Sequence, residues 1–293
     1  MKPILTILSV LLCFPLFGQD DMLSLLGEEK TSDFATAAFK TNRVINGHSI
    51  ENTAKGVMDF KINHRFGTVN GGVYELFGID QAYVRFGFDY GITDRLMVGV
   101  GRNSYEKVYD GFVKYRILRQ QTGKRNIPLS ISYMGNIDYK TVEWNNPVFS
   151  GDPWLRTYYT QQFLIARKFS SWTSVQIMPT WVHRNLTATK AEKNDIFLIG
   201  IAARQKISNR IAINAEYTYA FPNQLALDIV PTLSLGVDIE TGGHVFQLML
   251  TNSNGTDHRS FLTEANQKWR DGGIRFGFNV SRVFTIVKPK PML

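Results

Sequence analysis

The chain has 293 residues, of which 44% are hydrophobic and 13% aromatic, and its 33 basic residues outnumber 25 acidic ones. Its one cysteine, Cys13, lies in the apolar N-terminal stretch, so the rest of the chain can form no disulfide, thiolate nucleophile or cysteine-based metal site. Because no basic block or nucleic-acid motif accompanies the positive charge, the composition indicates a mild preference for anionic surfaces and no nucleic-acid partner.

The first 18 residues predict a secretory signal peptide. Lys2 precedes an apolar run over residues 4–17, and small Gly18 stands before polar Gln19. A transmembrane anchor is disfavoured because this run is shorter than the roughly 20 residues that a helix needs to cross a bilayer. No later apolar run is long enough either, which excludes a helix bundle and leaves a soluble periplasmic sandwich or an outer-membrane barrel.

Residues 19–55 have a mixed character without sustained alternation. Residues 22–26 favour a short amphipathic helical turn, and residues 35–40 a second extended or helical piece. We interpret this region as a periplasmic extension or as a plug segment inside a barrel.

Strict alternation begins further along the chain. Between residues 79 and 102, charged Arg85 and Asp89 share one parity, while the other parity is apolar: Ala82, Val84, Phe86, Phe88 and Tyr90. Such a strand fits a half-solvated sheet in a soluble protein, or a barrel wall with lipid outside and a polar lumen inside.

Twelve candidate strands follow one another from residue 56 to residue 285. They are 56–66, 81–91, 95–102, 107–119, 127–139, 156–168, 174–184, 195–205, 211–220, 229–239, 244–251 and 273–285. The strands at 195–205 and 244–251 are apolar on both parities and are less distinct.

The connections separate the two architectures. They are short after even-numbered strands and mostly long after odd-numbered ones, and only the connection at 103–106 departs from this rule. Outer-membrane barrels sort their connections in this way, whereas a sandwich has no reason to do so. We therefore predict an all-β fold, a closed antiparallel transmembrane barrel of about 12 strands over residues 56–285, with short periplasmic turns, longer extracellular loops and a tail at 286–293. Its predicted location is the outer membrane of a Gram-negative bacterium.

The polar parity of these strands predicts the lumen. Its basic and acidic members are balanced, which fits mutual pairing in a narrow or plugged interior, while a permeation path is the alternative. The candidate lumen-lining residues are Lys61, Arg85, Asp89, Lys114, Arg116, Asp138, Glu216, Asp238 and Arg275.

A second candidate site lies at the barrel mouth. His64, Arg65 and Asp80 are placed to form a ligand site there, although pairing of Arg65 with Asp80 to fasten the first long loop is the favoured interpretation. Trp144 and Trp154 belong to a long loop that is predicted to be extracellular, where they fit either a sugar-stacking surface or a loop that folds back into the mouth.

The sequence contains no motif for catalysis. None of the five histidines has metal-ligand spacing, and there is no nucleophile elbow, phosphate loop or dinucleotide fingerprint. His48 stands beside Ser49, but sequence neighbours rarely face each other for general-base chemistry. We expect no enzyme activity, no cofactor and no metal.

Three stretches carry a family resemblance: "FKTNRVINGHSIENTAKGVMDFKINHRFG", "LFGIDQAYVRFGFDYGITDRLMVGVGR" and "EKVYDGFVKYRILRQ". They resemble an outer-membrane β-barrel family of unknown function from Bacteroidota. The resemblance implies an outer-membrane barrel and brings no activity or functional residues. A tail after Phe284, instead of a terminal aromatic residue, departs from many such barrels.

The polar lumen predicts a pore or transporter for a small solute. The alternative is a closed barrel that acts as a scaffold or binding module through its extracellular loops and N-terminal segment. The expected partners are outer-membrane lipid and either a small solute or a periplasmic protein.

Overall fold

The structure, a computed structural model, describes residues 31–142, 152–187 and 189–288. The predicted signal peptide, the helical turn at 22–26, Trp144 and residues 289–293 of the predicted tail lie outside the described residues. Within them, residues 35–40 form neither a helix nor a strand.

Fourteen β-strands lie in the described residues. They are β1 Ser32–Phe34, β2 Val57–Thr68, β3 Ala82–Gly91, β4 Leu96–Asn103, β5 Val108–Leu118, β6 Gln121–Gly123, β7 Ser130–Lys140, β8 Thr157–Lys168, β9 Thr173–Arg184, β10 Asp195–Lys206, β11 Ile211–Ala220, β12 Thr232–Thr241, β13 His244–Thr251 and β14 Arg275–Thr285. One short α-helix, α1, spans His258–Thr263, and four 3₁₀ turns lie in connections. None of the helices in the described part of the chain is long and apolar enough to span a membrane.

Twelve of these strands form one closed barrel, which confirms the predicted fold. Each barrel strand pairs antiparallel with the next along the chain, and β14 closes the sheet against β2 through pairs that run from Arg275 with Thr68 to Thr285 with Val57. Closure leaves no strand edge unpaired, so the backbone groups of the wall are satisfied without water. The short strands β1 and β6 pair with each other outside the barrel.

Alternation along each strand gives the wall two chemically different faces. In β3, Phe86 and Phe88 are 50% and 46% exposed on the outside, while Arg85 and Asp89 are at most 1% exposed on the inside. Successive side chains of a strand point to opposite faces, so this sequence places apolar groups outward and charges inward.

The two ends of the barrel differ in the length of their connections. At one end, here called the turn end, β3–β4 and β12–β13 are joined by residues 92–95 and 242–243. At the other, the loop end, residues 69–81 and 252–274 connect strands. The short loop-end connection between β4 and β5 is made by Glu106 and Lys107, whose φ angles are +49° and +51°. This tight turn accounts for the one departure from the predicted alternation of lengths.

The two indistinct strands are present as β10 and β13, and the interior explains their composition. Inward Ile196 and Leu198 of β10 pack against Phe261 and Leu262 of α1, which lies inside the barrel. Inward Met249 of β13 packs in a cluster with residues of the N-terminal segment. These strands are apolar on both faces because their outward side chains belong to the apolar exterior of the barrel and their inward side chains contact a packed element.

Candidate functional site in the barrel lumen

Two chain segments occupy the interior of the barrel. The first, here called the lumen segment, comprises residues 38–50 and leads through residues 51–56 into β2 at the turn end. The second, here called the loop helix region, comprises residues 252–263, includes α1 and enters from the loop end. All residues of both segments are buried except half-buried Lys40.

The lumen segment folds back on itself as a tight hairpin. The backbone N–H of Val44 donates to the Gly47 carbonyl at 2.9 Å, and that of Ser49 donates to the Asn42 carbonyl at 3.0 Å. The Asn46-Gly47 pair at the tip is a residue combination that favours tight turns. The hairpin therefore presents the N–H groups of its tip to the barrel wall.

A single carboxylate on the wall binds this tip. Glu216 of β11 accepts hydrogen bonds from the backbone N–H groups of Ile45, Asn46 and Gly47, each at 3.1 Å. Glu216 is 2% exposed. Hydrogen bonds to an ionised acceptor are stronger than neutral ones, so this contact fixes the position of the tip.

Polar side chains from other strands bind the rest of the hairpin. Gln247 Nε2 donates to the Val44 carbonyl at 2.9 Å, and Lys114 Nζ donates to the carbonyls of Ser49 at 3.1 Å and Glu51 at 2.5 Å. Further contacts join Arg65 to Asn46 Oδ1, Asn279 to the Ile45 carbonyl, Asn46 to Ser234 and Gln176 to the His48 carbonyl. The lumen segment is thus bound from many sides of the wall.

The same segment also has an apolar side. Phe39, Ile45 and Ile50 pack with Leu164 and Met178 of the wall in one buried cluster. The wall residues of this cluster come from β8 to β10 and, through Met249, from β13, whereas the hydrogen bonds come mainly from the remaining strands. The wall is therefore matched to the hairpin in both polarity and position.

Two pairs of oppositely charged wall groups lie within the lumen. Arg85 makes two contacts with Asp110, from Nε to Oδ1 at 2.7 Å and from Nη2 to Oδ2 at 2.5 Å. Lys61 Nζ lies 2.8 Å from Asp59 Oδ2. Such pairing offsets the large cost of burying isolated ions.

Arg259 fixes the loop helix region at the loop end. Its guanidinium contacts Glu106 at 2.6 Å and also contacts Glu264, and its backbone N–H donates to Asp138 Oδ2 at 3.1 Å. Burial raises the pKa of Glu264, whereas at Glu106 the charges of Arg259 and Lys140 overcome the effect of burial and lower the pKa. The α1 N-cap, Asp257, accepts from Asn103 Nδ2 at 2.6 Å. The wall therefore also binds the second segment through charged and polar groups.

All nine candidate lumen residues lie on the inward parity of their strands. Lys114 and Glu216 contact the lumen segment, Asp89 accepts from Asn42 at 2.9 Å, and Asp138 contacts the loop helix region. The others have wall or turn-end partners: Lys61 pairs with Asp59, Arg85 with Asp110, Arg116 with Glu51 at 3.8 Å, Asp238 with Gln247 at 2.8 Å, and Arg275 with the Phe66 carbonyl at 3.1 Å.

The candidate mouth residues are not brought together. His64 points outward and stacks on Phe278 with ring centroids 4.8 Å apart, while Arg65 points inward and is fully buried. The favoured pairing of Arg65 with Asp80 is wrong, because the Arg65 guanidinium binds Asn46 and Asn279 and Asp80 lies exposed in a turn. Adjacent residues of a strand face opposite sides of the sheet, which separates His64 from Arg65.

The aromatic loop residues are only partly within the described chain. Trp154 is 66% exposed, and its carbonyl accepts from Asn185 Nδ2 at 2.6 Å. Trp144 lies outside the described residues.

Sequence reasoning missed the residues that recognise the two inner segments. The Asn46-Gly47 turn signature and the Asp257 cap three residues before Ser260 are local signals for a hairpin and a helix start. Neither signal says that the element lies inside a barrel. Among the described residues, no group of three His, Asp or Glu side chains is placed to hold a metal ion.

Comparison with known proteins establishes the class. A family model described as a membrane-bound β-barrel domain, DUF5777, matches residues 39–284. The chain belongs to this family, and the protein is a membrane-bound β-barrel. The match begins within the lumen segment. A search of curated proteins finds no match to the chain.

Solved structures with a similar shape include several barrels. The NanC porin is 8% identical, with a TM-score of 0.48 and coverage of 78% of this chain and 100% of the porin. The COG4313 outer-membrane channel from Pseudomonas putida F1 is 14% identical, with a TM-score of 0.46 and coverage of 80% and 98%. Outer membrane phospholipase A from Escherichia coli is 11% identical, with a TM-score of 0.44 and coverage of 77% and 92%. Similarities at this level carry no conclusion about the activity of this chain.

Proposed function

We propose that the protein is an outer-membrane channel for small polar solutes that is closed at rest by its own lumen segment. In this assignment the turn end faces the periplasm and the loop end faces the outside, as short turns and long loops do in bacterial barrels. The observation that carries the proposal is the polar recognition of the hairpin tip by Glu216, Gln247 and Asn279.

A polar contact surface favours a removable element over a permanent core. When the lumen segment leaves, water can take over the hydrogen bonds of Glu216, Gln247 and Lys114, so the emptied wall has little unsatisfied polarity. The exposed wall would be costly around the apolar cluster of Leu164, Met178 and Met249, where apolar surface would meet water. Most of the interface is therefore suited to repeated opening and closing.

The covalent arrangement also permits movement. Residues 51–56 connect the hairpin to barrel strand β2, and residues 35–37 connect it to β1, which pairs with β6 outside the barrel. Both connections reach the turn end, so the hairpin can move out toward that end without breaking a barrel strand. The loop helix region, with its apolar contact to β10, supports a role as the fixed part of the constriction.

The balance of charge indicates the class of solute. Arg85 with Asp110 and Lys61 with Asp59 present paired charges, so the wall has no strong preference for one sign. Small neutral or zwitterionic solutes fit such a lumen.

A second function has one observation in its favour. A cavity of about 520 Å³ opens at the turn end between the lumen segment and the wall, and its lining includes Phe39, Asn42, Asp59, Glu240 and Val245. A permanently closed barrel that binds a ligand or protein in this cavity is the alternative function.

Single-channel recording can test the channel directly. We expect refolded full-length protein in a planar bilayer to be closed most of the time, and a variant lacking residues 38–50 to conduct in long, discrete openings. The heat-dependent gel shift of barrels verifies folding of both proteins. A correctly folded deletion variant without conductance would contradict the channel and favour the closed binding barrel.

A further inference from the structure

Charge is distributed unequally between the two ends of the barrel. The turn-end segments carry twelve basic and four acidic side chains, and the described loop-end segments carry eight basic and nine acidic ones. The turn-end segments are 31–36, 51–56, 92–95, 116–129, 167–173, 206–210, 240–244 and 282–288. The loop-end segments are 69–81, 104–107, 141–142, 152–156, 184–187, 189–194, 221–231 and 252–274. The positive charge of the protein is therefore concentrated at the turn end.

Four of these turn-end cations stack on aromatic rings. Arg119 lies over Phe34 at 4.7 Å, Arg167 over Phe169 at 5.1 Å, Lys206 over Trp172 at 5.5 Å and Arg282 over Phe284 at 5.1 Å. These four pairs are here called the turn-end collar. Within the described part of the chain, none of the four cations has a carboxylate within 4.0 Å. Their charges are thus available to an external anion.

Two of the four cations, Arg167 of β8 and Arg282 of β14, lie on the outward face of the wall. Arg282 and Phe284 share the outward parity of β14 with Phe276 and Phe278, and the Phe284 ring is 37% exposed. The other three rings are 46% to 62% exposed. Aromatic rings with an adjacent cation are typical of the level at which hydrocarbon gives way to headgroups. Arg167 and Arg282 therefore lie at headgroup level.

We propose that the turn-end collar binds the anionic headgroups of phospholipids in the adjacent leaflet. Guanidinium groups match phosphate oxygens in geometry, and a ring beneath the cation holds it at the required depth. An acidic protein in the aqueous phase would approach the barrel mouth, whereas Arg167 and Arg282 share the outward parity of β8 and β14 and lie over exposed rings. Lipid is therefore the partner that the position of the collar favours.

Spin-labelled lipids in proteoliposomes measure this binding. We expect the protein to hold phosphatidylglycerol about fivefold more tightly than phosphatidylcholine at low salt, the effect of one cation near a headgroup. The collar variant combines Arg119→Gln, Arg167→Gln, Lys206→Gln and Arg282→Gln, and it should reduce this preference to less than twofold. Salt at about 0.5 M should also weaken the preference of the unmodified protein.

A matched control removes the same charge elsewhere. It combines Lys190→Gln, Lys193→Gln, Lys268→Gln and Arg270→Gln, four exposed loop-end positions, and should keep the preference for phosphatidylglycerol.

The single variants Arg167→Gln and Arg282→Gln should each give a partial loss of the preference, and they serve as the test if the fourfold variant does not fold. Equal affinity for both lipids in the unmodified protein, a preference that survives in the folded collar variants, or equal loss in the control would overturn the proposal. The test does not depend on channel activity.

Discussion

His48 and His258 lie face to face in the middle of the lumen, with ring centroids 5.2 Å apart and ring planes inclined by 11°. His48 belongs to the lumen segment and His258 to the loop helix region, so the two inner segments meet at this contact. Both rings are at most 1% exposed. Within the described residues, both nitrogens of His48 and Nε2 of His258 have no hydrogen-bond partner. A neutral pair of imidazoles is compatible with this site, and a charged pair is not.

The surroundings of the histidines give the sign of a pH effect. The charged groups that act on the pair are Arg43 of the lumen segment, Arg85 of β3 and Lys114 of β5, and the titratable groups Asp89, Asp110 and Asp138 of the wall act on Arg43. Three cations and burial disfavour protonation of either ring in the closed state. In a hydrated open lumen each ring regains an ordinary histidine pKa of about 6.5. The closed state is then fully stable above that pH and loses stability as the pH falls below it.

Acidification should therefore open the channel. At about pH 4.5, each histidine that protonates only in the open state multiplies the ratio of open to closed channels by roughly 100, and the pair by roughly 10⁴. His258→Phe keeps a ring at the contact and should reduce the effect to that of one histidine. Open probability measured between pH 7.5 and pH 4.5 tests this, and equal pH dependence in the variant would contradict it.

Glu216→Gln should weaken closure. The glutamine side chain has no negative charge, and its NH2 group replaces one of the two oxygens that accept from the backbone N–H groups of residues 45–47. The closed state should therefore lose about 2 kcal/mol of stability. This corresponds to a roughly 30-fold rise in the ratio of open to closed channels. Asp238→Asn is the matched control, because Asp238 accepts from the Gln247 side chain and can still do so as an amide. Similar open probabilities in the two variants would argue against a specific role for Glu216.

The Arg85 and Asp110 pair should matter for stability of the barrel. Arg85→Met leaves the Asp110 carboxylate buried without its partner and should lower the free energy of unfolding by about 3–5 kcal/mol. The double variant Arg85→Met and Asp110→Leu should recover much of this loss. Urea unfolding followed by the gel shift provides the measurement, and an additive effect of the two substitutions would show that the pair does not act as a unit.

Arg259→Ala should release the loop helix region. The substitution removes the contacts with Glu106 and Glu264 that fix this region to the wall and to its own C-terminal flank. Chymotrypsin should then cut after Phe261 or Leu262 at least about tenfold faster. A tenfold increase corresponds to a free energy of local opening of α1 that is about 1.4 kcal/mol lower. The control variant Arg270→Ala, at an exposed loop position, should be cleaved at the rate of the unmodified protein. Unchanged cleavage of the Arg259 variant would mean that apolar packing alone holds α1.

The barrel was predictable from sequence because its signal is repeated along the chain. Most strands alternate in the same way as β3, and the lengths of the connections alternate with them, so a weak strand such as β10 is supported by its neighbours. The inward positions of Arg85 and Glu216 follow from the same parity. Their partners do not, since Glu216 binds backbone groups about 170 positions away in sequence. Parity says which side of the wall a residue faces, and only the folded chain says what lies opposite.

A reversible disulfide between the lumen segment and the wall tests the gate most directly. A Cβ added at Gly236 of β12 would lie 3.4 Å from Ile45 Cγ1, which suits a bridge between Ile45→Cys and Gly236→Cys. With the bridge formed, acidification to about pH 4.5 should produce no openings, and reduction should restore them in the same bilayer. Each single-cysteine variant should open under both conditions. Equal conductance before and after reduction, with bridge formation verified by mass spectrometry, would show that solute passage does not require the lumen segment to move.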